Sequence, residues 1–471
     1  MRYCLSFILL LFSFSSVGAT WQSIINHRPA GSQVALIVEP LDKGHLSIEH
    51  NSQLLLAPAS TQKLFTSLAA ELELGDNYRF DTRIDGRGQL HAGQWQGDLR
   101  LVFSGAPDFN RAQLGALLQA LKGQGIHTID GDILLDGSAF AGYERGPGWP
   151  WDNLGVCYSA PSSALTFEHN CVAASLSVGA AGQKTRFYVP SFQPVSVTDD
   201  VVAVTQDQQQ QNLCELQLDR GPGNHYHLHG CVTNERAVWP LNFAVNDTAA
   251  YIAAAIKNEL KRYNIHFAGD IRRQDNASGQ WQRLAVTHSA PLSALIEHML
   301  TESDNLYANN LGKTLGRKTG LPGTFALGVR EVKDILAKKI GLTLKPATLV
   351  DGSGLSRDNL VSPAELAAVL KYLGHHTELA TYKGLPLAGK TGTLKYRHSV
   401  MKAPLRGNLK AKTGTLNGSM NLAGFFTAAS GQRYLFVLMS SSLSLGDNSD
   451  QADRTMTEFE RKLLDSLYHA G

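Results

Sequence analysis

A serine and a lysine three residues apart, in the segment Ser60-Thr61-Gln62-Lys63, most constrain what this chain can become. The segment opens a run with apolar residues at helical spacing, and positions i and i+3 of a helix share a face. Lys63 can therefore take the proton of the Ser60 hydroxyl, which is a poor nucleophile without a neighbouring base. Alone the pattern is weak. Its weight comes from two motifs that follow in order, Ser303-Asp304-Asn305 and Lys412-Thr413-Gly414.

The first two motifs supply the residues expected to do the chemistry. Ser60 attacks a carbonyl carbon, and Lys63 is its base. Ser303 is placed to pass a proton to a leaving amine, while Asn305 binds the substrate backbone and Lys63. Motifs of this kind in this order are the signature of serine enzymes that recognise penicillin.

The third motif is expected to hold the substrate. Lys412 and Thr413 would lie on an edge strand and bind a terminal carboxylate, and Gly414 would let the substrate approach that strand closely. Backbone N–H groups of Ser60 and Thr415 would form the oxyanion hole.

Copies of the motifs occur elsewhere, and their context separates them. A Lys-Thr-Gly at Lys318 is followed by Pro and favours a helix stop, and one at Lys390 has no strand behind it. Lys412 precedes a strand–turn–strand pattern, so we prefer it to Lys390 as the carboxylate clamp. Two further copies, Ser399-Val400-Met401-Lys402 and Ser419-Met420-Asn421, are rejected because they break the order.

The N-terminus has the pattern of a secretory signal. Arg2 precedes an apolar run over 5–14, and small residues end at Ala19, which predicts a signal peptide cleaved after Ala19. The run is short for a membrane span, so an uncleaved anchor is the weaker alternative. We expect a periplasmic protein with at most peripheral membrane association. The 43 basic and 41 acidic residues nearly cancel, which argues against a nucleic-acid-binding surface.

Export makes the cysteines informative. Cys4 would leave with the signal, and an even number would remain in an oxidising compartment, which suggests two disulfides. Three pairings are open. The sequential one is favoured because it closes two short loops, joining Cys157 to Cys171 and Cys214 to Cys231.

Strands from both ends of the chain are predicted to form one antiparallel sheet with helices around it. The expected strands span 33–38, 46–50, 407–415, 421–429 and 434–442, and a helix over 454–468 closes the chain. The segment 80–283 instead has Gly-rich turns, short alternating strands and all the cysteines that remain, which indicates an inserted module. A chain of 471 residues has room for two or three domains.

Three alternating histidines within the insert, His225, His227 and His229, share one face of a predicted strand with Cys231. A metal site is conceivable there, but a solvent-facing strand is the preferred interpretation because Cys231 is expected in a disulfide. Trp149 and Trp151 are expected to pack rather than to stack on a ligand.

With order and spacing accepted, the chain resembles the low-molecular-mass class C penicillin-binding proteins, the D-alanyl-D-alanine carboxypeptidase/endopeptidase family, from about residue 20 to its end. The segments that carry the resemblance are Pro58–Leu64, Gly148–Asp152, Cys157–Pro161, Ser303–Leu306, Asp351–Arg357 and Ala411–Leu416.

The resemblance implies an α+β fold with a penicillin-binding-protein/β-lactamase-like core, a five-stranded antiparallel sheet flanked by helices. A large, mostly β insert would form two extra domains, one nested in the other. The implied division is a signal peptide (1–19), a catalytic domain (20–80 and 284–471), an inserted domain (81–165 and 237–283) and a nested domain (166–236).

The resemblance also implies a function. The substrates would be peptidoglycan stem peptides and their cross-links, β-lactams would inhibit covalently, and neither metal nor organic cofactor would be needed. Substrate contacts would come from Arg357 and from a turn of the insert that reads the diamino acid of the stem. The implied contact residues are Arg357, Asp152, Asn153, Tyr158 and Asn417.

This chain departs from the family in detail. It has Trp151-Asp152-Asn153 where relatives often have Trp-Asn-Asp, so either Asp152 or Asn153 could read the diamino acid. Asn417 stands where a glutamine is often found. A β-lactamase-like hydrolase and a non-enzymatic peptidoglycan-binding protein are the alternative functions, and the second would not need all three motifs intact. The sequence does not decide between a monomer and a homodimer.

Overall fold

The computed structural model describes residues 17–442 and 449–471. The predicted signal peptide lies outside the described residues up to position 16, and helix α1 (Val17–Asn26) includes the expected cleavage point. Across the described ranges, we find no helix with the length and apolar character needed to cross a membrane.

The described chain alternates short strands with helices. The strands are β1 (Gln33–Pro40), β2 (Ile48–His50), β3 (Asp81–His91), β4 (Gln94–Val102), β5 (Thr128–Ile129), β6 (Ile133–Asp136), β7 (Cys171–Ser177), β8 (Arg186–Tyr188), β9 (Ser196–Asp199), β10 (Val202–Val204), β11 (Leu216–Arg220), β12 (His225–Thr233), β13 (Val238–Ala244), β14 (His266–Phe267), β15 (Ile271–Arg273), β16 (Gln282–His288), β17 (Leu409–Leu416), β18 (Ser419–Thr427) and β19 (Arg433–Ser441). The helices after α1 are α2 (Lys63–Leu74), α3 (Arg111–Gly123), α4 (Gln206–Asn212), α5 (Thr248–Arg262), α6 (Leu292–Thr301), α7 (Asn305–Gly316), α8 (Phe325–Ile340), α9 (Pro363–His375), α10 (Ala380–Lys383) and α11 (Ser449–Ala470).

Five strands from the two ends of the chain form one antiparallel sheet in the order β17-β18-β19-β1-β2, which confirms the predicted core. The continuous apolar run of β1 follows from burial on both faces. Ala35 and Ile37 pack with Leu64 and Leu68 of α2, whereas Leu36 packs on the opposite face in a core shared with α1 and α11.

The second motif lies at the junction of two helices, α6 and α7. Two other helices begin with side-chain caps. Helix α9 starts with a capping box between Ser362 and Glu365, with Pro363 in its first position. Helix α5 starts at Asp247, whose side chain accepts a hydrogen bond from the backbone N–H of Ala250.

The insert is built around a seven-stranded mixed sheet in which β3, β4 and β16 are neighbours. Two smaller sheets lie between its halves, one formed by β13, β7 and β8 and the other by β9 to β12. The division into domains stays a prediction. Sheet pairing extends past two of its boundaries, because β16 spans 283/284 and β13, beyond 236, pairs with β7.

Both predicted disulfides are present in the fold. Cys157 bonds to Cys171, and Cys214 bonds to Cys231. The first bond ties the turn that carries Tyr158 to the start of β7, so it anchors a segment that reaches the cleft described below.

Candidate active site

Ser60 lies in a tight 3-10 turn, Ala59–Gln62, immediately before α2. The Thr61 hydroxyl closes the turn by donating to the backbone carbonyl of Pro58 at 2.7 Å. Residues three apart eclipse each other in a 3-10 helix, so the turn aligns Ser60 with Lys63 more closely than an α-helix would. Gly354 packs on the turn, where any β-carbon would lie 1.8 Å from the Ala59 carbonyl oxygen.

Lys63 is fully buried at the centre of the site. Its Nζ lies 2.8 Å from Ser60 Oγ, 2.6 Å from Asn305 Oδ1 and 2.9 Å from the backbone oxygen of Ser353. Burial lowers the pKa of Lys63 to about 7, against the opposing charges of Asp351 and Asp304. A substantial fraction of the amine is therefore neutral near pH 7.

The three neighbours of Lys63 suit a neutral amine. The amide oxygen of Asn305 and the carbonyl of Ser353 can only accept, so they take the two N–H protons. The nitrogen lone pair is then left for the third neighbour, the Ser60 hydroxyl, which can donate. In the neutral form of Lys63 the lone pair is thus free to accept the Ser60 proton, whereas in the charged form Nζ donates to Ser60 Oγ.

The second motif directs its three side chains to three different places. Ser303 has a left-handed backbone, with φ of 62°, and its Oγ lies 2.8 Å from Lys412 Nζ. Asn305 faces Lys63 with its oxygen and donates from Nδ2 to the backbone oxygen of Tyr158 at 2.8 Å. Asn305 therefore connects the base to the insert.

Asp304 points away from the catalytic residues and caps α7. Its Oδ1 accepts from the backbone N–H of Tyr307 at 3.1 Å. Burial opposes ionisation of Asp304, but the neighbouring His169 and His298 and the capping N–H together lower its pKa well below the usual range. The ionised cap fixes the start of α7 and, with it, Ser303 and Asn305 on either side.

Lys412 lies on β17, the edge strand of the core sheet, as predicted. Its buried Nζ donates to Ser303 Oγ at 2.8 Å and to the backbone oxygen of Thr413 at 3.1 Å. Burial lowers the pKa of Lys412 well below its ordinary value, and the positive charges of Lys63 and Arg397 add to the shift. Lys412 therefore gives up its proton more readily than an exposed lysine.

Gly414 has a packing role in addition to the expected approach of substrate, which stays a prediction. A β-carbon on Gly414 would lie 2.6 Å from the Pro58 carbonyl oxygen and 3.1 Å from Thr61 N. The glycine therefore lets β17 pack against the turn that carries Ser60, which brings the first and third motifs together.

The rejected lysine motifs have other positions. Lys318 is in a 3-10 turn that ends at Gly320, and it pairs with Glu73. Lys390 precedes a 3-10 turn, Gly392–Leu394, rather than a strand. That loop nevertheless reaches the site, because Thr393 Oγ1 lies 2.9 Å from Thr413 Oγ1.

The two rejected serine motifs serve the fold. The Ser399 hydroxyl donates to Glu460 of α11 at 2.5 Å, and Arg397 binds the same carboxylate. Asn421 donates to the backbone oxygens of Ala57 and Pro58, both at 2.9 Å, and so fixes the approach to the Ser60 turn.

We expect Lys412→Ala to slow acylation by about one to two powers of ten. A fixed lysine makes a charge-assisted contact with a carboxylate that contributes about 1.5–3 kcal/mol, which corresponds to that range of rate. Lys390→Ala is the matched control and should stay within about three-fold of wild type. The comparison is the second-order rate of penicillin acylation, and a reversed order of the two variants would show that the third motif is misplaced.

A cleft of about 500 Å³ opens above these residues. It contains every predicted contact from the insert turn and the Asp351–Arg357 segment, and Arg357 Nη1 donates to the Asn417 carbonyl at 2.6 Å across its rim. Burial and the charge of Asp152 raise the pKa of Tyr158. The cleft is lined by Ser60, Pro150, Asp152, Asn153, Tyr158, Ser303, Asn305, Gly354, Leu355, Arg357, Thr415, Leu416 and Asn417.

The two tryptophans before this turn differ. Trp149 is buried, as expected, and its Nε1 donates to Asp351 Oδ2 at 2.8 Å. The packing prediction is wrong for Trp151, which is 83% exposed at the turn that borders the cleft. Asp351 also accepts from the backbone N–H groups of Gly354 and Ser356, so a buried carboxylate organises the loop that presents the Ser353 carbonyl to Lys63.

Sequence reasoning missed two neighbours of the motifs. The Ser353 carbonyl bonds Lys63, but a backbone acceptor has no signature in the side-chain pattern. Thr393 directly follows the rejected Lys390-Thr391-Gly392 motif, and this glycine-containing motif was the sequence signal of a loop near Lys412.

The model of the D-Ala-D-Ala carboxypeptidase 3 (S13) family matches residues 19–463. The chain belongs to this family. D-alanyl-D-alanine carboxypeptidase DacB of Haemophilus influenzae is 35% identical to it over 470 residues, which are 99% of this chain and 97% of that protein. The predicted membership among low-molecular-mass class C penicillin-binding proteins is thereby confirmed.

Solved structures of S13-family relatives confirm the fold. The crystal structure of penicillin binding protein 4 (dacB) from Haemophilus influenzae aligns with a TM-score of 0.88 at 35% identity, covering 95% of this chain and 99% of that one. A second structure of that protein, complexed with a β-lactam, has a TM-score of 0.83 at 33% identity with the same coverage. The alignments thus extend over the segment 80–283 as well as the five-stranded core sheet.

Proposed function

We propose that this protein is a serine D-Ala-D-Ala carboxypeptidase that also cleaves D-Ala–diaminopimelate cross-links as an endopeptidase. The observation that carries the proposal is the arrangement of Lys63, a buried amine of lowered pKa whose lone pair is left for Ser60. The relative named as a D-alanyl-D-alanine carboxypeptidase spans the whole chain, which ranks the β-lactamase and non-enzymatic alternatives below this function.

In the proposed reaction, Ser60 Oγ bonds to the carbonyl carbon of the penultimate D-Ala while its proton passes to Lys63. The oxyanion lies between the backbone N–H groups of Ser60 and Thr415. When the intermediate collapses, the C–N bond breaks and the leaving amine receives a proton through Ser303. The proton that reaches the amine is the one Lys63 took from Ser60, so Lys63 is neutral again. Water then attacks the acyl carbon, Lys63 takes a proton from that water, and it returns this proton to Ser60 Oγ as the ester bond breaks.

In this scheme the two buried lysines, Lys63 and Lys412, are not both charged in the free site. Lys63 and Lys412 lower each other's tendency to hold a proton, so two charged amines are unfavourable in the free site. A substrate carboxylate at Lys412 and Thr413 favours the charged form of Lys412. That charge in turn favours neutral Lys63, so binding of the correct C-terminus prepares the base.

The insert turn is proposed to select the diamino acid. Asp152 and Asn153 both line the cleft with Tyr158 and Arg357. Of the two candidates, Asp152 carries the charge that would attract a free amino group. The endopeptidase activity requires that the cleft also admit the second strand of a cross-linked dimer.

β-Lactams are proposed to acylate Ser60, because a relative of the same fold forms a complex with one. The predicted signal pattern and the two disulfides support export to the periplasm. Peptidoglycan stem peptides and cross-links are found in that compartment, and a peripheral membrane association would keep the enzyme near them.

Muropeptide hydrolysis tests the proposal. The purified protein should release D-Ala from a pentapeptide containing diaminopimelate and should convert cross-linked dimers to monomers, both followed by liquid chromatography and mass spectrometry. Release of D-Ala without dimer cleavage would contradict the endopeptidase proposal. Turnover of penicillin that greatly exceeds turnover of both peptides would favour the β-lactamase alternative.

The same assay separates the two candidates for the diamino acid. Asp152→Asn should lower kcat/KM for the diaminopimelate peptide by about tenfold, as expected for a lost charge-assisted contact, whereas Asn153→Ala should change it little. Equal losses in both variants, or a loss in Asn153→Ala alone, would assign the contact differently.

A further inference from the structure

Behind the second motif, three ligand-type side chains from separate elements converge. His169 comes from the insert, His298 from the last turn of α6, and Asp304 from the cap of α7. We call these three residues the histidine–aspartate cluster. One nitrogen of each imidazole and one oxygen of the carboxylate all lie within 4.8 Å of one another.

The distances in the cluster are those of metal ligands. His169 Nδ1 lies 3.4 Å and His298 Nε2 3.6 Å from Asp304 Oδ2. Both separations are longer than the usual N–H···O hydrogen bond of about 2.7–3.2 Å. Two ligand atoms at about 2.1 Å from a tetrahedral zinc ion are about 3.4 Å apart, which agrees with the observed spacing.

The cluster is also positioned before any ion binds. Asp304 Oδ1 is occupied by the Tyr307 N–H, which leaves Oδ2 toward the imidazoles. The Tyr307 ring stacks on His169 at 5.6 Å between centroids and contacts His298 at 4.5 Å. Asp304, and at longer range Glu168 and Asp108, bring negative charge to His169, which favours a cation here.

We propose that the histidine–aspartate cluster binds one divalent transition-metal ion of the zinc class, with solvent in the fourth position. Two imidazoles and one carboxylate suit Zn²⁺, Co²⁺ or Cu²⁺ rather than Mg²⁺ or Ca²⁺, which prefer oxygen ligands. The side chains of His169 and His298 are 45% and 39% exposed, so an ion can enter from solvent. The ion would join the insert to the segment that carries Ser303 and Asn305, without contacting the reacting atoms.

A second group, on the insert, forms a weaker candidate. His227 and His229 lie on one face of β12, with ring centroids 4.9 Å apart, and Asp219 is across from His227 on β11. The preferred interpretation as a solvent-facing strand agrees with this placement. His229 and His227 already have hydrogen-bonding carboxylates at 3.0 Å, Asp219 and Asp200 respectively, both more than half exposed.

Metal titration of the purified protein, after removal of metals by a chelator, tests the proposal. The measurement uses the His227→Gln/His229→Gln background, which removes the second group. Calorimetry should detect one equivalent of Zn²⁺ with a dissociation constant of about 10 µM or tighter. Co²⁺ should give the intense visible bands of a four-coordinate site, and Zn²⁺ should raise the melting temperature by at least about 2 °C.

Variants of single ligands make the assignment specific. His169→Gln and His298→Gln should each weaken Zn²⁺ binding by at least about 100-fold, because removing a metal ligand costs more affinity than removing a residue that only orients a ligand. His288→Gln is the matched control, since His288 pairs with Asp81 at 2.7 Å and belongs to neither ligand group among the described residues, and it should keep the background affinity. Penicillin labelling reports whether each variant is folded.

Three results would overturn the proposal. The first is no zinc binding by the background protein, and the second is binding that persists unchanged in both ligand variants. The third is displacement of Zn²⁺ by millimolar Mg²⁺ or Ca²⁺, which would indicate an oxygen-rich site elsewhere.

Discussion

Replacing Ser60 by alanine is expected to abolish covalent labelling by penicillin and to lower D-Ala release by about 10⁴-fold or more. The variant lacks only the Ser60 hydroxyl, whose oxygen lies 2.8 Å from Lys63 Nζ. The labelling is measured with a fluorescent penicillin on a denaturing gel. Mapping the modified peptide of the wild type should place the acyl group on Ser60.

Ser399→Ala is the matched control, because Ser399 begins the other Ser-x-x-Lys segment. Its hydroxyl is buried against Glu460, so the variant loses one hydrogen bond in the packing of α11 and nothing in the cleft. Labelling should remain within about two-fold of wild type. Labelling that survives in Ser60→Ala and disappears in Ser399→Ala would transfer the nucleophile to the other segment.

The core sheet could be predicted because its strands are short apolar runs with clear turns between them. Residues 33–38 were expected as a strand, and β1 extends two residues further, to Pro40, where its pairing with β19 ends at Tyr434. The Asn417-Gly418 turn likewise fixed the hairpin of β17 and β18, in which Leu416 pairs with Ser419. Local signals of this kind leave little freedom in register.

The chemistry of the motifs was also accessible, since Ser60, Lys63 and Lys412 must have definite side-chain types at definite spacings. The surroundings of these side chains in the fold could not be predicted in the same way. The pKa of Lys63 depends on burial under Ser353 and Asn305, which are distant in sequence. Pairwise proximity across such separations is decided by packing of the whole domain, so a single sequence contains no direct record of it.

Two features of the site went beyond what the sequence indicated. The role of Gly414 in substrate approach stays a prediction, but its packing against Pro58 and Thr61 was not foreseen. Trp151 was expected to pack, yet only Trp149 found a buried partner, in Asp351. In each case the residue type indicated a constraint correctly, but which surface supplies the constraint depends on how the insert and the two ends of the chain meet.

The rate of penicillin acylation should rise with pH and level off above a midpoint of about 7. Lys63 acts as a base only when neutral, and burial lowers its pKa to about 7 from an ordinary value of 10.5. Below the midpoint the neutral fraction falls about tenfold per pH unit, so the rate at pH 5 should be about one hundredth of the plateau. Stopped-flow measurement of the second-order acylation rate reports the free enzyme.

Lys63→Arg supplies the control, because a guanidinium stays charged throughout this range and should give a rate lower by about 10³-fold without a plateau. A wild-type profile that is flat from pH 5 to 8, or that has its midpoint near 10, would contradict the assignment of Lys63 as a buried base of lowered pKa.

The lowered pKa of Lys63 also has a consequence for stability. The charge of this buried lysine destabilises the folded protein, whereas the charge of a lysine in an ion pair stabilises it. Between about pH 7 and 10.5 the unfolded chain holds a proton on Lys63 that the folded chain has released. The free energy of unfolding should therefore rise with pH across this window, and below about pH 7 the folded protein must bury a charge.

Lys63→Met removes this buried charge, so the variant should be more stable than wild type below pH 7, and the difference should shrink toward pH 10. Thermal or urea unfolding at several pH values measures it. A variant that is less stable than wild type at pH 6 would mean that the hydrogen bonds of Lys63 to Asn305 and Ser353 outweigh the burial of its charge, and that the site is assembled for stability as well as for catalysis.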